Sequence, residues 1–87
     1  MADLRPTRHA REEMARRNIP LRFVQEVLTN PGQIVGAFGG RKAYQSVLEF
    51  PDGRKYLLRV IVGEAGERPV VVTVYRTSKI AKYWSAS

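Results

Sequence analysis

The 87-residue chain contains no cysteine. Disulfide staples, thiolate zinc sites, iron–sulfur clusters and cysteine nucleophiles are excluded together, and the absence fits a reducing compartment. A single histidine and scattered carboxylates leave no His/Cys ligand set, so neither a metal nor a cofactor is expected. No apolar run approaches the roughly 20 residues that a membrane-spanning helix requires, and no membrane partner is expected. The first residues, Met1-Ala2-Asp3-Leu4-Arg5, have no apolar core of the signal-peptide kind, and a cytoplasmic location is the expectation. Gly32, Gly36, Gly39 and Gly40 precede no Lys-Ser/Thr pair, and they match neither a phosphate-binding loop nor a dinucleotide fingerprint.

Acidic side chains are also scarce. Fifteen Lys and Arg stand against eight Asp and Glu, a formal charge of +7. On one small domain that excess favours an anionic partner, such as nucleic acid, an acidic protein or anionic lipid. Six arginines fall within the first 22 residues, and no carboxylate follows Glu67. The length suits one domain that buries roughly 60% of the surface its unfolded chain exposes. Residues 1–6 read as a flexible N-terminus and residues 7–84 as the single domain.

The periodicity divides the chain. Thr7 suits the N-cap of a short helix over 9–17, and Asn18 suits the left-handed residue that closes it. Pro20 fits the start of a second helix whose Leu21, Val24, Val27 and Leu28 form an apolar stripe. Asn30-Pro31-Gly32 ends it. From there a period of two predicts strands over 33–38, 41–50, 55–62 and 70–77. Pro51-Asp52-Gly53-Arg54 is a hairpin turn, and residues 63–69 read as a polar loop. Residues 79–84 read as a helical turn or a tail docked on the sheet edge. The expected fold class is α+β, two N-terminal helices packed on an antiparallel sheet of three to four strands.

Alternation nominates side chains for chemistry. Tyr56, Leu58, Val60 and Val62 suit the helix-covered face, which leaves Lys55 and Arg59 on the open one. In the last strand Val70, Val72 and Val74 suit the core and Tyr75 and Thr77 the other side; parity puts Arg76 with the valines, at the strand end where its head can reach solvent. His9 projects from the polar side of the first helix. It reads either as a solvated histidine or as a general acid or base. Tyr75, Thr77, Ser78, Lys79, Lys82, Tyr83 and Trp84 interleave cations, hydroxyls and aromatic rings, a pattern that suits single-stranded nucleic acid. The alternative is that Tyr83 and Trp84 cap a small core. Metal-free cleavage of RNA by its own 2′-hydroxyl fits this inventory, since it needs only a base, an acid and cations around the phosphate.

Two runs carry a resemblance. Arg8-His9-Ala10-Arg11-Glu12-Glu13-Met14-Ala15-Arg16-Arg17-Asn18-Ile19, followed by a second helix ending in Asn30-Pro31, is similar to the N-terminal half of a small bacterial family. The family is catalogued as a domain of unknown function and resembles the RelE/ParE-like toxins, with BrnT as an analogue. Val72-Thr73-Val74-Tyr75-Arg76-Thr77-Ser78 is similar to its final strand. The resemblance implies a RelE-like fold with a curved sheet, and a type II toxin that cleaves mRNA, free or ribosome-bound. It also implies an acidic antitoxin as partner. Carried onto this sequence, its catalytic positions are His9, Arg17, Arg59, Tyr75, Arg76 and Thr77. The open face and the interleaved cations and rings of the last segment, read from the residues themselves, put RNA contacts on Lys55, Ser78, Lys79, Lys82, Tyr83 and Trp84. Asn18 replaces the usual Gly, and Glu13 stands where Arg is expected. The other implied reading is a non-enzymatic ParE-like toxin or a basic binding module.

Overall fold

The computed structural model describes residues 4–85. After the two-residue strand β1 (Arg5–Pro6) come helices α1 (Arg8–Arg16) and α2 (Leu21–Thr29). Strand β2 (Gln33–Gly36) and a 3-10 turn (Phe38–Gly40) lead to β3 (Lys42–Glu49), β4 (Lys55–Ala65) and β5 (Arg68–Thr77). The short helix α3 (Ile80–Tyr83) follows. The sheet order is β1-β5-β4-β3-β2.

This overturns the expected sheet of three to four antiparallel strands and the RelE-like fold class. Among the described residues the sheet has five strands and is mixed, because β1 runs parallel to β5, pairing Arg5 with Val70 and Pro6 with Val71. A two-residue strand containing proline has no periodicity to reveal it, and the first six residues therefore read as a tail. Among the described residues a third, four-residue helix, α3, follows the two N-terminal ones, where residues 79–84 were read as a helical turn or a docked tail. The polar loop over 63–69 is also corrected. Glu64 pairs with Pro69 and Ala65 with Arg68, leaving a turn of Gly66 and Glu67, with Gly66 at φ 67°. The positive φ at a glycine is what lets so short a turn close.

Thr7 explains how α1 is seated. Its Oγ1 accepts from the Ala10 amide at 3.1 Å and donates to the Val72 carbonyl at 3.3 Å, while its amide donates to Val71. One residue thus caps the helix and ties it to β5. At the other end Asn18 has φ 54°, and the Ile19 amide donates to the Met14 carbonyl at 2.8 Å. Ala10 and Met14 then face inward with Val24, Val27 and Leu28 of α2. Against them lie Phe50, Leu58, Val60, Val71 and Val74, so both helices cover one face of the sheet.

Val71 in this cluster corrects the expected Val70 and Val72. The register of β4 and β5 shifts between Ile61 and Val62, leaving Val72 as the extra residue of a β-bulge. The bulge changes parity, so that Val71 and Val74 share a face. Gly63 makes room for it: a Cβ there would sit 2.9 Å from a Val72 methyl carbon. No helix among the described residues is long and apolar enough to cross a membrane.

Candidate functional site

Ala43, Leu57 and Ile61 point away from the helices and are buried outside the main cluster. Among them lies a row of polar side chains that crosses four strands. Gln33 of β2 is opposite Gln45 of β3, Gln45 is opposite Arg59 of β4, and Arg59 is opposite Tyr75 of β5. The side chains hydrogen-bond in the same order. Gln45 Nε2 donates to Gln33 Oε1 at 2.9 Å, Arg59 Nε donates to Gln45 Oε1 at 2.8 Å, and Arg59 Nη1 donates to the Tyr75 phenol oxygen at 2.5 Å.

The C-terminal segment closes over this row. Gln45 Nε2 also donates to the Tyr83 carbonyl at 3.1 Å, and Gln33 Nε2 donates to the Ser85 carbonyl at 2.6 Å. The Ser85 amide donates back to Gln33 Oε1 at 3.0 Å. The Tyr83 ring stands 4.5 Å from the Arg59 guanidinium carbon, and the Tyr75 ring 5.7 Å from it. The two tyrosines meet edge-on at 6.3 Å. Residues 80–85 therefore dock on the open face of the sheet, where the expected tail lay on its edge.

Arg59 is only 8% exposed, yet none of the ion pairs among the described residues involves it. Its charge is met by an amide oxygen, a phenol oxygen and two π faces, all formally neutral. Removing an ion from water costs several kcal/mol without a counter-charge, so a nearly buried guanidinium of this kind favours an anion. No buried side-chain nitrogen or oxygen among the described residues lacks a partner. Arg59 Nη2, which makes none of the hydrogen bonds above, therefore reaches accessible space. Arg59 also lines a groove of about 400 Å³, together with Gly36, Ala37, Phe38, Arg41, Ile61, Thr73 and Tyr75. No carboxylate lines it.

Of the residues nominated from sequence, Arg59, Tyr75 and Tyr83 come together. Thr77 shares their face, and its Oγ1 accepts from the Lys79 amide at 3.0 Å, so this hydroxyl shapes the turn into α3. Lys55 lies on the same face at the exposed start of β4, opposite Glu49. Ser78 and Lys79 form the link to α3, and Lys82 Nζ stands 5.3 Å from the Tyr83 ring. Trp84 packs toward Gly32, where an added Cβ would sit 2.9 Å from the indole.

The others lie elsewhere. His9 is exposed on α1, and α1 covers the opposite face. Arg17 donates its Nε to Glu13 at 2.9 Å, and Arg16 bonds the same oxygen. These two hydrogen bonds hold the Glu13 carboxyl below its ordinary range, Arg16 contributing most. Strand alternation turns Arg76 to the helix-covered face, where its guanidinium carbon lies 4.6 Å from both the Phe50 and Tyr56 rings. Beside it the Tyr56 hydroxyl donates to Asp52 at 2.6 Å, which lowers the carboxyl pKa and raises that of the phenol. A composite of His9, Arg17 and Arg76 with Arg59 is thus split by the sheet.

Gln33, Gln45, Phe38, Arg41 and Thr73 were absent from the sequence expectation. The hairpin turn carried a signal for Gln45: counting four residues back from the Glu49–Lys55 pair along each strand reaches Gln45 and Arg59. The same count on the next hairpin would oppose Val74 to Arg59. Only the bulge at Val72 brings Tyr75 there. Among the described residues, no three His, Cys, Asp or Glu side chains gather as a metal site.

The model of a domain-of-unknown-function family, DUF4258, matches residues 7–76. That span includes α1, α2 and the Gln33–Gln45–Arg59–Tyr75 row, and it stops before α3. No curated protein and no solved structure matches the chain.

Proposed function

The chain belongs to the DUF4258 family, and from that premise we propose that it is a toxin-type endoribonuclease that cleaves mRNA at the Arg59–Tyr75 groove. The observation that carries the reading is the nearly buried Arg59, without an ion-pair partner, which lines a groove without carboxylates. The charge of +7 supports it, as does the similarity of the Arg8–Ile19 run and the closing strand to a family that itself resembles RelE/ParE-like toxins. A phosphodiester in the groove receives Arg59 Nη2 and the Arg41 guanidinium on its non-bridging oxygens. The 2′-hydroxyl oxygen bonds to phosphorus and gives its proton to water. The bond to the 5′-oxygen breaks, and that oxygen takes the Tyr75 phenol proton, which solvent then replaces. The products are a 2′,3′-cyclic phosphate and a 5′-hydroxyl end. Cations fixed in place before the charge develops are what lower such a barrier. A basic surface of this kind also suits an acidic antitoxin segment.

The test is cleavage of mRNA, with and without ribosomes, in the presence of EDTA. Wild-type protein and His9→Ala should yield cyclic-phosphate ends, whereas Arg59→Met and Tyr75→Phe should lose at least ten-fold in rate. No cleavage, or equal cleavage by Arg59→Met, contradicts the reading. One observation favours a second, non-enzymatic binder: Arg59 already commits Nε and Nη1 and lies beneath Tyr83. Growth arrest on expression with intact RNA would select that alternative.

A further inference from the structure

Phe38 is 96% exposed, while the other exposed large apolar side chains, Leu21, Ile34, Val47 and Trp84, reach at most 49%. A phenyl ring left almost wholly in water does nothing for the core, and a single exposed apolar residue by itself means little. Its mounting distinguishes it. The Ala37 amide donates to the Arg41 carbonyl at 2.8 Å and closes the loop beneath it. Gly39 at φ 75° and Gly40 at φ 77° supply the left-handed backbone that so tight a reversal requires. Backbone pairing thus fixes the loop that carries the ring and leaves the ring itself in solvent.

The surroundings of the ring carry one sign of charge. Phe38 lines the same groove as Arg41, Arg59, Thr73 and Tyr75, and Lys42 follows Arg41 in the chain. An apolar protein anchor would gain little from an adjacent pair of unneutralised guanidinium groups. A nucleotide gains from both halves of the arrangement, because its phosphate meets the cations and its base offers a flat face to the ring. The groove of about 400 Å³ falls in the lower part of the roughly 300–1,000 Å³ range of small-ligand sites.

We infer that Phe38 is a stacking platform for one unpaired RNA base, held beside a phosphate that lies between Arg41 and Arg59. The inference rests on the RNA reading above and adds to it the substrate class: single-stranded RNA, with duplex excluded at this position. A base within a duplex already has a neighbour on each face and cannot cover the ring. Phe38 touches no group in the reaction and acts through the position of the nucleotide.

The test is binding of a labelled single-stranded RNA and its duplex to wild type, Phe38→Ala and Phe38→Trp at several salt concentrations. Phe38→Ala should weaken single-strand binding roughly 5- to 150-fold, with an unchanged salt slope, because a stacked base but no phosphate contact is lost. Phe38→Trp should restore binding, and its added indole emission should be quenched by single-stranded RNA and not by the duplex. Single-strand binding by Phe38→Ala equal to wild type overturns the inference and leaves the RNA reading standing. No binding of RNA by wild type overturns both. A monomer–dimer equilibrium that Phe38→Ala abolishes, without quenching of Phe38→Trp by RNA, would assign the ring to a second copy of the chain and also overturn it.

Discussion

On the helix-covered side of β4, Leu58 and Val60 are wholly buried among apolar side chains of α1, α2 and β5. Between them on the same strand, Arg59 is buried on the other side among Gln45, Tyr75 and Tyr83. The first face gains from non-directional removal of apolar area, and most volume-conserving replacements there would fold. The second depends on directional bonds, each of which leaves a costly orphan when its partner is removed. A face with that second chemistry is a poor means of stabilising 87 residues and a good means of holding a cation ready.

The largest expected effect separates stability from function. Leu58→Ala should cost about 2–5 kcal/mol in urea denaturation, through lost burial and the cavity it leaves. Its RNA affinity, measured well below the transition, should stay within two-fold of wild type. Next in size, Arg59→Met should cost about 1–3 kcal/mol, because Gln45 Oε1 loses its donor in a buried setting. The double variant Arg59→Met/Gln45→Leu should recover only part of that stability, since the Tyr83 carbonyl then loses the Gln45 amide, and it should not recover RNA binding. If the double variant binds RNA, the row is structural only.

How much of this was legible in the sequence follows from the same contrast. Val24, Val27 and Leu28 of the α2 stripe, the Thr7 cap, Asn18 and the inward face of Tyr56, Leu58, Val60 and Val62 were readable, since periodicity and capping are local. Leu21, at the first turn of α2, is instead 49% exposed and not in the core. Arg59 on the open face was readable for the same reason. The row itself was not, because the partner of Arg59 on β5 depends on a bulge, and no local pattern marks Val72 as the extra residue. The parallel strand β1 escaped because two residues have no period. His9 and Arg76 were grouped with Arg59 by the resemblance, although parity already set Arg76 beside the core-facing valines, the side on which it lies. The Asp52–Tyr56 pair and the aromatic rings account for Arg76 once its face is known.

Smaller effects sharpen the contrast further. Gly32→Ala should lift the C-terminal segment off the open face, since the new Cβ would meet Trp84 at 2.9 Å and the Gln45 carbonyl at 3.2 Å. A red shift of Trp84 emission and faster proteolysis after Tyr83 would report it, with about 1 kcal/mol lost overall. An unshifted spectrum would mean that the segment accommodates the methyl group. The smallest effect belongs to the helix-covered side. The Glu13 carboxyl is held below its ordinary value near 4.5 by Arg16 and Arg17, so its contribution is present above that pH and lost as pH falls through the lowered value. Glu13→Gln should therefore be less stable than wild type near neutrality, and the gap should close in acid. A gap that stays constant with pH would assign the difference to something other than these ion pairs.

The most direct test is an NMR titration of the intact protein with a short single-stranded RNA, following Arg59 Nε–H, the Gln45 side-chain amide and the backbone of 36–41 and 73–77. The account predicts shifts concentrated on these groups, with the α1 amides unchanged. Shifts confined to α1 and its arginines, with Arg59 and Gln45 silent, would contradict it.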